Sequence, residues 1–232
     1  MNTGELEWRW CDDIGMYAMD RPINDVPDYR EGHEGEILAK GSCDHRTDYC
    51  NETCYNIKLY RIYKHMLTKD VRNEVAWQAV NAKAVAKQLK RKRKQVLRVR
   101  GCTRGENIKD LSDIFRWREI ALETPETTWW IPSRVWRNPT LNLMTRRWLS
   151  NLPNVRVDAS LDPSNTKEEW EQVELEGWNI MFYGDNELTH SPYSGKRMFK
   201  CPKTWKGLKD HCNKCKGGCL SDTQSITSLK EH

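Results

Sequence analysis

Between Lys69 and Arg100 the sequence contains neither proline nor glycine, the two residues that most readily end a helix. Within that stretch Val71, Val75, Ala79, Ala82, Val85 or Ala86, Leu89 and Val96 recur at intervals of three and four. Thr68 offers an N-cap, Asp70 sits in the first turn, and Gly101 follows the last helical position. The pattern predicts one long helix over residues 68–100. At the α-helical rise it would reach about 48 Å, more than the width of a small domain, so part of it should project.

The charge on this segment is one-signed. From Val75 to Gly105 there is no acidic residue, and the basic ones are Lys83, Lys87, Lys90, Arg91, Lys92, Arg93, Lys94, Arg98, Arg100 and Arg104. A solvated helix face normally mixes signs to gain i,i+4 pairs. Cations near a helix C-terminus gain only about 0.3–1 kcal/mol each from the macrodipole, too little to account for such a run. Neutralisation of phosphates does account for it. These ten residues are therefore the candidate nucleic-acid contacts, with Lys90–Lys94 also fitting a nuclear localisation signal. RNA is favoured over DNA, because no groove-reading motif is present. Residues 1–42 carry ten acidic and four basic side chains and are expected to be largely irregular, able to fold back on the basic helix.

Nine cysteines fall mostly into two groups. Cys43, His45, Cys50 and Cys54 place four ligand-type side chains close together, as a tetrahedral zinc site requires. The second group is Cys201, Cys212, Cys215 and Cys219, in which the Cys212-x2-Cys215 pair is the most zinc-like unit in the chain. His211 is a substitute fourth ligand there. The expected cofactor is structural Zn2+, one or two ions, with the two groups forming separate sites or sharing one. An odd cysteine count and an acidic start without an apolar leader argue for a reducing compartment, cytoplasmic or nuclear.

Eleven tryptophans stand against three phenylalanines. Trp117, Trp129, Trp130, Trp136 and Trp148 interleave with arginines, a pattern that serves base stacking or a packed core with a cationic rim. Adjacent residues on a strand face opposite ways, so Trp129 and Trp130 are the candidate interface pair.

Helices are expected over Tyr55–Leu67, Leu111–Glu123 and Leu141–Leu149, a strand at Val155–Val157, and a β-hairpin from Trp170–Leu175 to Trp178–Tyr183. The fold class is α+β, in four parts. An acidic segment 1–42 leads into a helical region 43–123 with the long basic helix. A Trp-rich β region with the zinc-stabilised C-terminal cysteines follows over 124–220, then a flexible tail 221–232. No phosphate-binding, dinucleotide, nucleophile-elbow or zincin motif occurs, so the chain reads as non-enzymatic. No apolar run approaches the length of a membrane span. The expected function is a zinc-stabilised RNA-binding protein, a ribonucleoprotein component or a viral-type regulatory protein. The alternative is an adaptor that captures a partner protein through its Trp-rich face.

Overall fold

The computed structural model describes residues 5–92, 98–208, 212, 215, 218–220 and 224–230. Its framework is an eight-stranded sheet. In spatial order the strands are β1 (Arg9–Cys11), β2 (Met16–Met19), β5 (Arg98–Cys102), β6 (Thr128–Ser133), β7 (Val155–Leu161), β8 (Asn179–Tyr183), β10 (Ile226–Leu229) and β9 (Phe199–Lys200). β1 and β2 are antiparallel, and the remaining neighbours pair in parallel. A separate ribbon is made by β3 (Val26–Pro27) and β4 (Ile37–Ala39).

Parallel neighbours need long crossovers, and here helices supply them. Two short helices, α1 (Asp48–Thr53) and α2 (Tyr55–Ile62), precede α3 (Lys64–Gln78) and α4 (Ala82–Lys90) between β2 and β5. Then α5 (Leu111–Glu123), α6 (Pro139–Trp148) and α7 (Lys167–Leu175) join β5 to β8 in turn. Strands β2, β5, β6, β7 and β8 lie side by side in chain order. With right-handed crossovers, that order puts the successive helices on one face of the sheet.

Strand alternation divides the apolar residues accordingly. Tyr17, Met19, Val99, Trp129, Ile131, Val157, Ile180 and Phe182 pack against Trp77, Leu89, Ile114, Trp117, Leu141 and Trp170 of the helices. Met16, Ala18 and Trp130 point to the opposite, inner face, where Cys11, Ile14 and Cys212 cover them. Indoles form the spine of the main core, with Trp77–Trp117 centroids at 4.6 Å, Trp117–Trp129 at 5.5 Å and Trp8–Trp129 at 5.8 Å. Their N–H groups are satisfied internally: Trp77 donates to Asp113, Trp117 to the Asn107 carbonyl and Trp129 to Thr124.

Several expectations are corrected. The α/β mixture holds, but the N-terminal half is not predominantly helical, because residues 9–39 contribute four strands. The single helix over 68–100 is two helices and a strand. Its break falls at Ala79–Asn81, where Asn81 caps α4 by accepting from the Ala84 N–H, and Thr68 lies inside α3. The hairpin at Trp170–Tyr183 is instead α7 followed by β8. A capping box at Thr166 and Glu169 starts that helix, and Trp170 and Val173 turn into the core at helical spacing. The boundaries at 42 and 123 cut through one continuous sheet. No helix among the described residues is long and apolar enough to cross a membrane.

Candidate metal centre at the carboxyl edge of the sheet

In open parallel sheets the groups that bind ligands gather beyond the carboxyl ends of the strands. Here the chain leaves β2 at Met19 and returns across that edge as the loop carrying Ser42, Cys43, Cys50 and Cys54. Thr47 caps α1 by accepting from the Cys50 N–H and donates its hydroxyl to Asp162, the residue after β7. Tyr49 donates to the Gly184 carbonyl just after β8, at 3.1 Å. Ser42 donates to the Pro22 carbonyl and accepts from the Glu106 N–H beyond β5, both near 2.9 Å. Gly105 is the point of closest approach: its φ is +75°, and a Cβ there would sit 2.5 Å from the Arg21 carbonyl and the Ser42 hydroxyl.

Under this loop lie three charged side chains contributed by three strand ends. Glu106, buried, accepts from the backbone N–H groups of Asn107 (2.7 Å) and Arg134 (3.0 Å). Arg134, following β6, pairs with Asp162 at 3.0 Å. Burial pushes the Glu106 carboxyl up against the pull of its hydrogen bonds. Burial also pushes the Cys43 thiol up, and Glu106, Cys50 and Cys54 add to the rise. The Cys50 thiol is raised by burial but drawn back by Arg134, which also hydrogen-bonds it. Three sulfurs therefore converge beside a guanidinium, facing two carboxylates.

His45 Nε2 sits 3.2 Å from the Lys109 carbonyl and must donate to it, which fixes the ring and makes Nδ1 its acceptor, as in a metal-ligating histidine. Sulfurs around one tetrahedral zinc lie about 3.8 Å apart. Among the described residues, the one triple of ligand atoms within 4.8 Å of one another is Asp28, His33 and Glu36. That triple is already an ion-pair cluster, with Arg30 on Asp28 and His33 on Glu36 at 2.8 Å. The three cysteines are close enough to act on one another but wider than a single-ion site.

The remaining candidate residues are scattered. Lys83, Lys87, Lys90 and Arg91 are exposed, the three lysines on one face of α4. Lys92 stacks over the Tyr17 ring at 5.4 Å. Arg93 and Lys94 lie outside the described residues. Arg98 and Arg100 belong to β5 rather than a helix; Arg98 donates to the Cys212 and Cys215 carbonyls, and Arg100 covers the Trp130 ring at 4.7 Å. Arg104 is buried and bound to Asp70 and Asp20, which removes it from any surface. The acidic N-terminal segment does fold back, but onto α3 and Arg104, through Glu7–Arg72 and Asp20–Arg104. Trp129 and Trp130 do face opposite ways, yet both are buried because the sheet is covered on each side, so neither forms an exposed interface. Cys201, Cys212, Cys215 and Cys219 gather near the inner face, and His211 lies outside the described residues.

Sequence reasoning missed Glu106 and Asp162. Each stands within a few positions of a strand's carboxyl end, a signal that becomes readable only once β5 and β7 are recognised as parallel strands.

Residues 29–222 match the profile of a family described as Gene product 88. The chain belongs to the Gene product 88 family. No curated protein and no solved structure is significantly similar to it. The matched span contains both cysteine groups together with Glu106, Arg134 and Asp162. A family known by a numbered gene product also agrees with the coarse expectation of a viral-type protein.

Proposed function

We propose that this Gene product 88 family member is an enzyme whose centre is an iron–sulfur cluster held by Cys43, Cys50 and Cys54 at the carboxyl edge of the sheet. The observation that carries the reading is the three-thiol set itself: three sulfurs converge, spaced wider than a single zinc needs. Thiolates are the ligands that select zinc and iron–sulfur clusters, and a cluster spreads its thiolates over separate irons. Three protein thiolates leave one iron of a four-iron cluster open to an outside ligand. When bound, such a centre supplies electron transfer or Lewis-acid chemistry to that ligand.

The chain's own residues would do the rest. Arg134 hydrogen-bonds the Cys50 sulfur and would stabilise negative charge there, tuning the centre's potential. Asp162 holds both Arg134 and the α1 cap, fixing the loop in place. Glu106, its carboxyl raised by burial, is placed to exchange a proton with a bound ligand.

The test is anaerobic purification and reconstitution with iron and sulfide. Expected are about four irons with matching sulfide at this site and visible charge-transfer absorption, lost together in Cys43→Ala, Cys50→Ala and Cys54→Ala. Stoichiometric zinc on the same three cysteines, or no metal with these thiols alkylating freely, would overturn the reading.

A second reading keeps a specific observation, the exposed row Lys83, Lys87, Lys90 and Arg91 on α4. It is the remnant of the RNA-binding surface that the sequence suggested. Four phosphate contacts to single-stranded RNA would give log affinity a slope of about −3 against log salt. Glutamine at those four positions should flatten that slope and leave metal content unchanged. A slope indifferent to the four substitutions would remove RNA binding by α4.

A further inference from the structure

We propose that Cys201, Cys212, Cys215 and Cys219 form a second, coordinatively closed four-thiolate metal centre that fastens the C-terminal segment over the inner face of the sheet. The ligand class is an iron–sulfur cluster, since no three of these sulfurs lie within 4.8 Å of one another either. The inference is independent of the Cys43 site.

The backbone delivers these residues to one place by contacts that have no other evident purpose. Cys201 is tied to β10 through its N–H on the Ser228 carbonyl at 2.9 Å. It stands at the start of α8 (Pro202–Lys206), whose Trp205 also donates to that carbonyl, at 3.1 Å. One guanidinium, Arg98 of β5, donates to the carbonyls of both Cys212 and Cys215 at 2.8 Å, tying both residues to the sheet. Gly218 opens a 3-10 turn (Gly218–Leu220) with φ +65° and its carbonyl held by Ser225. A Cβ at Gly218 would fall 2.9 Å from the Thr227 hydroxyl and 3.0 Å from the Phe199 ring. That turn brings Cys219 and Leu220 against the same apolar patch as Cys212, with Trp130 and Met181 beneath.

The electrostatics agree with this convergence. Beyond burial, the Cys212 thiol is raised by Cys201 and Cys215, and the Cys219 thiol by Asp158 and the other three cysteines. Four thiolates around a metal carry net negative charge. Arg100 and Lys203 both act on Cys212 with the sign that would offset it. A second observation comes from the sheet itself. Asp158 of β7 is fully buried on this inner face, its Oδ2 taken by the Trp130 indole at 2.8 Å and its Oδ1 without a hydrogen-bond partner. A buried carboxylate oxygen left open is costly unless something polar comes to it.

The contrast with the first site is in number and position. Three thiols at the carboxyl edge face charged groups, whereas here Cys212 and Cys219 lie on an apolar patch.

The test separates the two centres. In the triple variant Cys43→Ala, Cys50→Ala, Cys54→Ala, metal should remain bound at one centre per chain, read by elemental mass spectrometry. Iron with matching sulfide supports the site, and stoichiometric zinc alone would overturn it. On the unmodified protein, native-state alkylation mapped by peptide mass provides a reading that does not depend on a variant folding. Cys201 and Cys215 are only half-buried, so reagent can reach them. Ligated, they should be protected, and a strong chelator should expose them together with Cys212 and Cys219. Rapid alkylation of Cys201 and Cys215 in protein that has never met chelator, with no metal retained in the triple variant, would overturn the proposal.

Discussion

Arg21 and Arg104 place two guanidiniums inside a protein whose surface has many more to spare. Arg21 is fully buried between Glu74 at 2.6 Å and Asp113 at 2.8 Å, and Arg104 lies between Asp70 and Asp20 at 2.8 and 2.9 Å. Both come from loops that leave neighbouring parallel strands, and both are answered by acids on the helical layer as well. The network therefore locks the start of the carboxyl edge to α3 and α5. Burial pushes Asp113 up, but Arg21, Trp77 and the Lys109 N–H hold it below its ordinary value. Arg104, Arg9 and Thr103 do the same for Asp20 against its burial. A carboxyl depressed in the folded state contributes stability that is complete above its unfolded value of 3.8 and is lost as pH falls through the folded one. Unfolding midpoints in urea should accordingly fall steeply below pH 4. Asp113→Asn, which leaves Arg21 with Glu74 as its counter-charge, should cost about 1–3 kcal/mol at pH 7 and flatten that acid limb. An acid limb of unchanged steepness in the variant would show that other groups govern it.

At the level of elements, legibility followed the strength of the local signal. Leu111–Glu123 was readable as α5 because Ile114, Trp117, Ile120 and Ala121 repeat at helical spacing and all are buried. β8 was readable from the alternation of Ile180 and Phe182, and the β-prone Thr127–Trp136 contains β6. The long basic helix failed for a physical reason. Its apolar positions persist across Ala79–Asn81, but Val80 packs against the core and Asn81 takes a non-helical conformation to cap the next helix. Periodicity cannot register a change of axis. Asn81 was itself the overlooked sign, since asparagine favours caps over helix interiors. Asn81→Ala should lower stability by about 1 kcal/mol in chemical denaturation, with its largest effect on amide exchange in α4. Equal protection of α4 in both proteins would mean the break is set by tertiary packing alone. α7 was taken for a strand because its apolar residues are few. The Thr166-x-x-Glu169 capping signature was present and should have outweighed Trp170 as a β-former.

For the whole molecule, the decisive quantity was the order of strands, and no single segment carries it. Residues 5–42 look irregular in composition, yet Met16–Met19 is buried in full as an inner strand of the sheet, pairing on both sides. Until that strand is in place, nothing marks the stretch from Cys43 to Cys54 as the loop crossing a carboxyl edge. The cysteines were legible as ligands from their grouping alone. The spacing of those ligands was not, because it is set by tertiary packing. The basic excess shows the opposite error: a run of charge that looks like one surface in sequence is divided among an exposed helix face, a strand and a buried ion pair.

The place of β10 bears on how the protein is made. Synthesis delivers β2, β5, β6, β7 and β8 in the order in which they pair, so each can dock on its predecessor as it emerges. β10 breaks that sequence. It inserts between β8 and the earlier-made β9, its Thr227 and Ser228 paired to Phe199 and Lys200 on one side and to Met181 and Phe182 on the other. From the completion of β8 at Tyr183 until Ile226–Leu229 are made, therefore, β8 presents a bare parallel edge and β9 has no neighbour. The nascent chain is committed to its fold early but sealed late, and its aggregation-prone interval ends with the arrival of residues 226–229.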